Sequence, residues 1–307
     1  MMSIDIFYKS ARGALFNGLA SLNLTGKILV PDYICESIVN VIKSLKIQII
    51  RYPITDTLNP DWTALEDRLK KKGLSAILAV HYFGQPFNFN RINKLCSKHN
   101  LILIEDNAHG YGGFFLGKKL GNLGTIGISS PRKFIHIYGG GILHINKSSS
   151  ELLKQRFSNI CLRPILMNIL ESIPSIRKFF KKIIKIKKDW DNKNLYEDNI
   201  ECKEYIDKYS FKYIQKYNWQ QSKISRVQKW IYLVKKYKNV AKPIWSKPAK
   251  KTNPWACPFL LDNRLERNKF LDKVSADGYE AFTWPYMTSA NENGELLWDR
   301  VACIILD

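Results

Sequence analysis

The sequence predicts an α/β protein, with a doubly wound large domain followed by a small α+β domain. Three observations carry this expectation. Short apolar runs alternate with helix-length segments from the N-terminal region to about residue 145, the rhythm of strand–helix–strand units. The run Leu101–Ile104 is continuously apolar rather than alternating, which suits a strand covered on both faces, as in a parallel sheet. From about residue 150 the composition changes sharply and that rhythm stops. Residues 1–215 therefore read as a large domain with a lysine-rich helical segment at about 150–215, and 216–307 as a linking helix and a small C-terminal domain.

Each element has a local reason. Residues 8–22 read as a loop entering a helix: Ser10 is a suitable N-cap, and Leu15, Leu19 and Leu22 share one helical face. Strand Lys27–Val30, helix Cys35–Leu45 and strand Ile47–Tyr52 follow, then an exposed helix from Asp61–Trp62 to Lys72. The next strand, Ala76–Val80, delivers His81 at its end. A crossover helix within 85–100 puts Ile92, Leu95 and Cys96 on one face before the Leu101–Ile104 strand. Thr125–Ile128 and the ILHIN run after Gly141 complete a sheet of mixed character. Residues 217–237 form a long helix. Beyond it WACPFLL and VACIILD are strand-like, with a helix through LERNKFLDKVSADGY that Gly278 ends.

Composition narrows the classes. A chain of 307 residues buries roughly three quarters of its unfolded surface and needs no disulfides for stability. Its 45% hydrophobic and 24% charged residues are those of an ordinary globular protein. The six cysteines (35, 96, 161, 202, 257, 303) have neither CxxC pairing nor histidine partners, so neither a metal site nor a disulfide framework is expected. The start MMSIDIFYKSARG lacks the apolar core of a signal peptide, and no stretch approaches an 18-residue apolar span; a cytoplasmic location is the expectation. The formal charge of +21 is mostly lysine without an RNA-binding motif, so compositional bias is favoured over a nucleic-acid surface. Ile176–Trp190 spaces apolar residues along one basic helical face, which either packs on its own domain or makes peripheral contact with an anionic membrane.

The chemistry concentrates in Leu101–Gly141. In order stand a strand ending in Asp106, then His109, then Ser130 and Lys133, then Gly139–Gly141. Asp106 falls at the strand's carboxyl end, where open α/β sheets place ligands. Taken singly each residue has a plainer role: a helix cap, a half-buried histidine, one lysine of many, a turn. Together they suit pyridoxal phosphate. Its aldehyde needs an amine, which Lys133 supplies, and its protonated ring nitrogen needs a facing carboxylate, which Asp106 supplies. His109 would bond the ring oxygen, Ser130 the phosphate, and the glycines allow a tight turn beside them.

The stretch resembles the sugar aminotransferases of the DegT/StrS type, within the fold type I pyridoxal phosphate enzymes. The matching residues are His81-Tyr82-Phe83-Gly84-Gln85-Pro86, Ile104-Glu105-Asp106-Asn107-Ala108-His109, Ser130-Pro131-Arg132-Lys133 and Gly140-Gly141. The resemblance implies an aspartate-aminotransferase-like fold, with a three-layer large domain and a small α+β C-terminal domain that ends sooner than members of the family usually do. It implies that Asp106 pairs with the ring nitrogen, His109 lies near the ring oxygen and Lys133 carries the cofactor. It further implies that the helix start at Ala11 and Arg12 grips the phosphate, and that Asn218 reaches the phosphate of a partner subunit in a homodimer. Departures are visible: Ala11 stands for the usual glycine, Gln220 for the usual arginine, and Cys35 near where a ring-stacking residue is usual, with Tyr33 close by.

The expected function is a pyridoxal-phosphate-dependent aminotransferase taking a nucleotide-linked keto sugar, with glutamate as amino donor, in surface polysaccharide or amino-sugar biosynthesis. Relatives with histidine in place of the lysine act as dehydratases, and Lys133 argues against that branch. The alternative is a catalytically impaired fold type I protein whose basic surface binds nucleic acid or anionic membrane.

Overall fold

The computed structural model describes residues 3–146, 155–159, 204–284 and 297–306. Their first sheet has seven strands: β1 (Ile4–Tyr8), β2 (Lys27–Pro31), β3 (Ile49–Tyr52), β4 (Leu74–Val80), β5 (Ile102–Asn107), β8 (Ile126–Ser129) and β9 (Gly141–Ile145). A small hairpin, β6 (Phe114–Phe115) with β7 (Lys118–Lys119), stands apart from it. The strand order is β1-β9-β8-β5-β4-β2-β3. Strands β3, β2, β4, β5 and β8 are parallel neighbours, while β9 runs antiparallel to both β8 and β1. In β5 the consecutive residues Leu103 and Ile104 are both buried; they point to opposite faces, so helices or loops cover both sides.

Helices α1 (Ala11–Ser21), α2 (Glu36–Ser44), α3 (Trp62–Leu69) and α4 (Phe89–His99) follow these strands, α1 starting at the expected cap Ser10 and α2 at Cys35 without a side-chain cap. The side chains of Ser10, Asp61 and Asn88 accept from the amides of Gly13, Ala64 and Arg91 respectively. Strand β3 starts at Ile49 rather than Ile47, because Lys46 adopts a left-handed φ of 57° that turns the chain first. Strand β1 was not expected: its pairing with β9 joins residues about 140 apart in sequence, as Ile4 with Ile145.

The second sheet has the order β10-β11-β13-β12, from β10 (Lys242–Pro243), β11 (Ala256–Leu260), β12 (Ala281–Thr283) and β13 (Val301–Ile305). Its alternating residues divide between two cores. Cys257, Phe259, Ala302 and Ile304 pack with Trp230, Leu233 and Tyr237 of α6 (Trp219–Tyr237) and with Phe270, Leu271 and Val274 of α7 (Arg264–Ala276). Ala256, Leu260, Val301 and Cys303 join the main core. The period of two thus makes this sheet a wall shared by both layers. Between the sheets lies α5 (Lys208–Lys216), capped by Asp207 and falling within the expected lysine-rich region. The expected amphipathic helix 176–190 lies outside the described residues. Among those residues no helix is long and apolar enough to cross a membrane.

At the carboxyl end of β2, Asp32 is buried while accepting from the Ile54 amide at 3.0 Å. Burial pushes its carboxyl up to about 6, against the opposing pull of the Ile54 and Tyr33 amides and of Arg51. Because the native pKa lies above the unfolded value of 3.8, the native state holds a proton that the unfolded chain has lost. Stability therefore falls as pH rises through that window, by at most about 3 kcal/mol. Asp32→Asn keeps the acceptor for Ile54 and should unfold at higher urea than wild type at pH 7. The two should converge near pH 4; equal midpoints at both pH values would refute this.

Candidate active site

The carboxyl edge of the parallel strands gathers the candidate residues. Asp106 is the penultimate residue of β5, and Ser130 opens the short turn Pro131–Lys133 that follows β8. Antiparallel β9 begins at this same edge with Gly141, beside the start of α1. A cavity of about 450 Å³ opens here, lined by Ala11, Arg12, Asp106, His109, Ser130 and Lys133. That is every residue expected in the site except Asn218. A larger groove of about 750 Å³ lies at the opposite, amino end of β5, lined by neither an acid nor a histidine.

Lys133 Nζ sits 3.2 Å from His109 Nε2 and 3.8 Å from the centre of the Trp255 ring. Loss of hydration lowers its amine from 10.5 to about 8; Asp106 and the thiol of Cys35 oppose that shift, and Arg132 adds to it. Burial likewise pushes the Asp106 carboxyl up, while the Ala108 amide (2.9 Å) and the charges of Lys133 and His81 pull it back. His109 is held well below its ordinary value, first by burial and then by Lys133. It is therefore neutral at pH 7. The Phe83 amide donates to its Nδ1 at 3.3 Å, which leaves the ring proton on Nε2; Nε2–H donates to Lys133 Nζ only in the amine's unprotonated form. Phe83 takes a left-handed φ of 53° to present that amide.

The segment His81–Pro86 supports this arrangement from below. The His81 ring is fully buried, with Nε2 2.8 Å from Glu105 Oε2. Glu105 also accepts from the amides of Gly121 (3.1 Å), Leu123 and Gly124, pinning that loop under β5. A Cβ on Gly84 would lie 2.7 Å from the His109 carbonyl oxygen, so only glycine lets this turn approach the histidine's backbone. A second buried chain of bonds runs from Asp5 through His144 and Ser129 to Asn107, the neighbour of Asp106.

The amino end of α1 forms the other side of the cavity. Its first-turn amides have no helical acceptor, and the helix dipole adds positive character there. Gly141 packs flat against it: an added Cβ would stand 2.0 Å from the Ser10 carbonyl carbon and 2.3 Å from the Ala11 nitrogen. Asn218 lies elsewhere. It caps α6 by accepting from Gln221 (3.0 Å) and borders a separate groove of about 490 Å³, next to Arg226 and His136. His136 borders both spaces. Among the described residues no cluster of acids, cysteines or histidines is arranged to hold a metal.

Glu105, Phe83, Trp255 and Trp284 are the site residues that the sequence reading passed over. Glu105 adjoins Asp106, so its place was available; its partners, distant loop amides, were not.

The family model described as the DegT/DnrJ/EryC1/StrS aminotransferase family matches residues 6–163. A curated relative, the dTDP-3-amino-3,6-dideoxy-alpha-D-galactopyranose transaminase of Aneurinibacillus thermoaerophilus, is 31% identical over 105 residues, covering 34% of this chain and 28% of that protein. Another, the GDP-4-keto-6-deoxy-D-mannose 3-dehydratase of Escherichia coli O55:H7, is 37% identical over 82 residues, covering 27% of this chain and 21% of that protein. These matches span under a third of either relative's length. Over the whole fold the chain is similar to PseC of Helicobacter pylori, an aminotransferase involved in the biosynthesis of pseudoaminic acid. The TM-score is 0.67 at 16% identity, covering 99% of this chain and 81% of that one, a likeness of fold.

Proposed function

The chain belongs to the DegT/DnrJ/EryC1/StrS aminotransferase family, and on that premise we propose that it is a pyridoxal-phosphate-dependent aminotransferase. Its substrate is a keto sugar carried on a nucleotide, its amino donor an amino acid such as glutamate, and its working form a homodimer. The observation that carries this reading is the convergence of Lys133, His109 and Asp106 on one cavity beside the amino end of α1. The names of curated relatives, several of them nucleotide-sugar transaminases, support the substrate class. We also place the division between the two domains near residue 215, since α6 packs with the second sheet.

The residues present fit the cofactor. The cavity is of the size that small-ligand sites usually have. It has an anion-binding helix start at one side and a buried carboxyl with a lysine at the other. When bound, the cofactor supplies an electron sink for the carbon that gives up its proton. Asp106 would keep the ring nitrogen protonated, and the nearby positive charge would return its raised carboxyl to the ionised form. The proton on His109 Nε2 would be donated to the ring oxygen. Ser130 and the amides of Ala11 and Arg12 would hold the phosphate. Lys133 would carry the aldehyde and, once displaced by the donor's amine, take up and return the substrate proton at Nζ. An amine titrating near 8 is partly unprotonated at neutral pH, as a base must be.

The test is the absorption spectrum of purified protein with pyridoxal phosphate, for wild type and Lys133→Ala, before and after glutamate. A band near the visible edge that requires Lys133 and bleaches with glutamate is expected. Its absence in folded wild type would end the aminotransferase reading.

A further inference from the structure

The cavity is lined by side chains from both sheets and from the start of α2. A planar aromatic ligand gains from a ring laid against it, through dispersion and complementary quadrupoles. On the α2 side the lining residues are Cys35, Ser37 and Ile38, with the Cys35 thiol 3.0 Å from the Ser37 hydroxyl. None offers an aromatic face. Among the described residues lining the cavity, Trp284 is the one tryptophan, tyrosine or phenylalanine.

Resting on the pyridoxal phosphate reading, we propose that Trp284 supplies the wall against which the cofactor ring lies, standing in for the aromatic side chain that Cys35 does not provide. Trp284 directly follows β12 and so reaches the site from the second sheet. It is held beside the Cys35 loop by Tyr33, two residues before Cys35, whose hydroxyl donates to the Trp284 carbonyl oxygen. The two rings also meet edge to face, with centroids 5.4 Å apart at 82°. His109 meets the indole at 4.6 Å and 72°, and Phe83 at 5.8 Å and 74°. Tyr82 is a fourth ring neighbour at 6.3 Å, and the indole so held is 7% exposed while still bordering the cavity. Its contact with His109 places the indole beside the group proposed to address the ring oxygen. The Tyr33–Trp284 bond joins the Cys35 loop to the second sheet across 251 residues of sequence.

The consequence is a link between cofactor and second sheet: binding at the large sheet should stiffen β12. Trp284 is a positioning residue, and its test compares pyridoxal phosphate affinity among wild type, Trp284→Phe, Trp284→Leu and the double variant Cys35→Phe/Trp284→Leu. Affinity is read from the absorption band and from quenching of protein fluorescence. Near-ultraviolet circular dichroism reports folding, and leucine keeps an apolar side chain at the position. Trp284→Leu should weaken the cofactor about tenfold, with Trp284→Phe retaining most of the affinity. The double variant should recover it, since a local ring at position 35 replaces the distant one. A leucine variant that binds within about twofold of wild type, or a loss that Cys35→Phe does not restore, would overturn the assignment. If Trp284→Leu does not fold, Trp284→Phe and Cys35→Phe alone decide: weaker binding in the first with no gain in the second would count against it. Wild type lacking any Lys133-dependent band would instead sink the cofactor reading itself, so the two failures are distinguishable.

Discussion

Lys133→Met should abolish the lysine-dependent absorption band and reduce transamination by about 10²–10⁴-fold, while making the cofactor-free protein more stable than wild type at pH 7. The two effects share one cause. Burial lowers the amine from 10.5 to about 8, so at pH 7 the folded chain holds a charged group at a site that disfavours charge. The sign follows from proton counting. Between about 8 and 10.5 the unfolded chain binds the proton and the native chain does not, so stability rises with pH across that window. Below it the full penalty applies, about 3 kcal/mol as an upper bound, because part of the residue still meets solvent. Methionine fills the same space without charge, so its advantage should be present at pH 7 and fade as pH approaches 10.5. Urea denaturation of both proteins at several pH values measures this. A methionine variant less stable than wild type at pH 7 would show that the contact with the Trp255 ring outweighs lost hydration. An activity gained by storing such strain is the usual trade between stability and function.

Glu105→Ala should cost about 4 kcal/mol or more, a large part of the stability of an ordinary domain. One carboxylate serves four buried donors: the amides of Gly121, Leu123 and Gly124, and His81 Nε2. Removing it strands all of them without water, and each unsatisfied group costs roughly 1–3 kcal/mol before the loop relaxes. Glu105→Gln keeps acceptor oxygen but turns an N–H toward other N–H groups, so its loss should be intermediate. Chemical denaturation with cofactor absent is the measurement. A midpoint for the alanine variant within about 1 kcal/mol of wild type would mean that the 121–124 loop is held by its packing.

Much of the site was legible because its parts lie in one stretch. Asp106, His109, Ser130 and Lys133 stand in chain order within Leu101–Gly141, and parallel-sheet topology brings strand ends to one edge. Ser10 was readable as a cap because capping is local, and the bond to Gly13 bears it out. What could not be read depends on distance along the chain. Strand β1 is a short edge element whose partner lies near residue 145, and nothing in IDIFY announces that pairing. His81 gave no hint of its role because Glu105, its partner, was read only as the neighbour of an acid. Trp284 falls in the second sheet, and its contact with Tyr33 is invisible without the fold. Asn218 shows the opposite case: its capping bond was available locally, whereas a reach toward a partner subunit rests on resemblance.

The packing of Gly141 against Ser10 and Ala11 divides the cavity into two kinds of material. The anion end is built from main-chain amides clamped between a helix start and a strand start. A Cβ at position 141 would break that clamp, while Ser130 adds a side-chain donor to the same cavity. The ring end is built from exchangeable side chains drawn from separate elements. On the proposed reading, such a site can vary what its ring end and its outer rim accept while the main-chain anchor stays fixed.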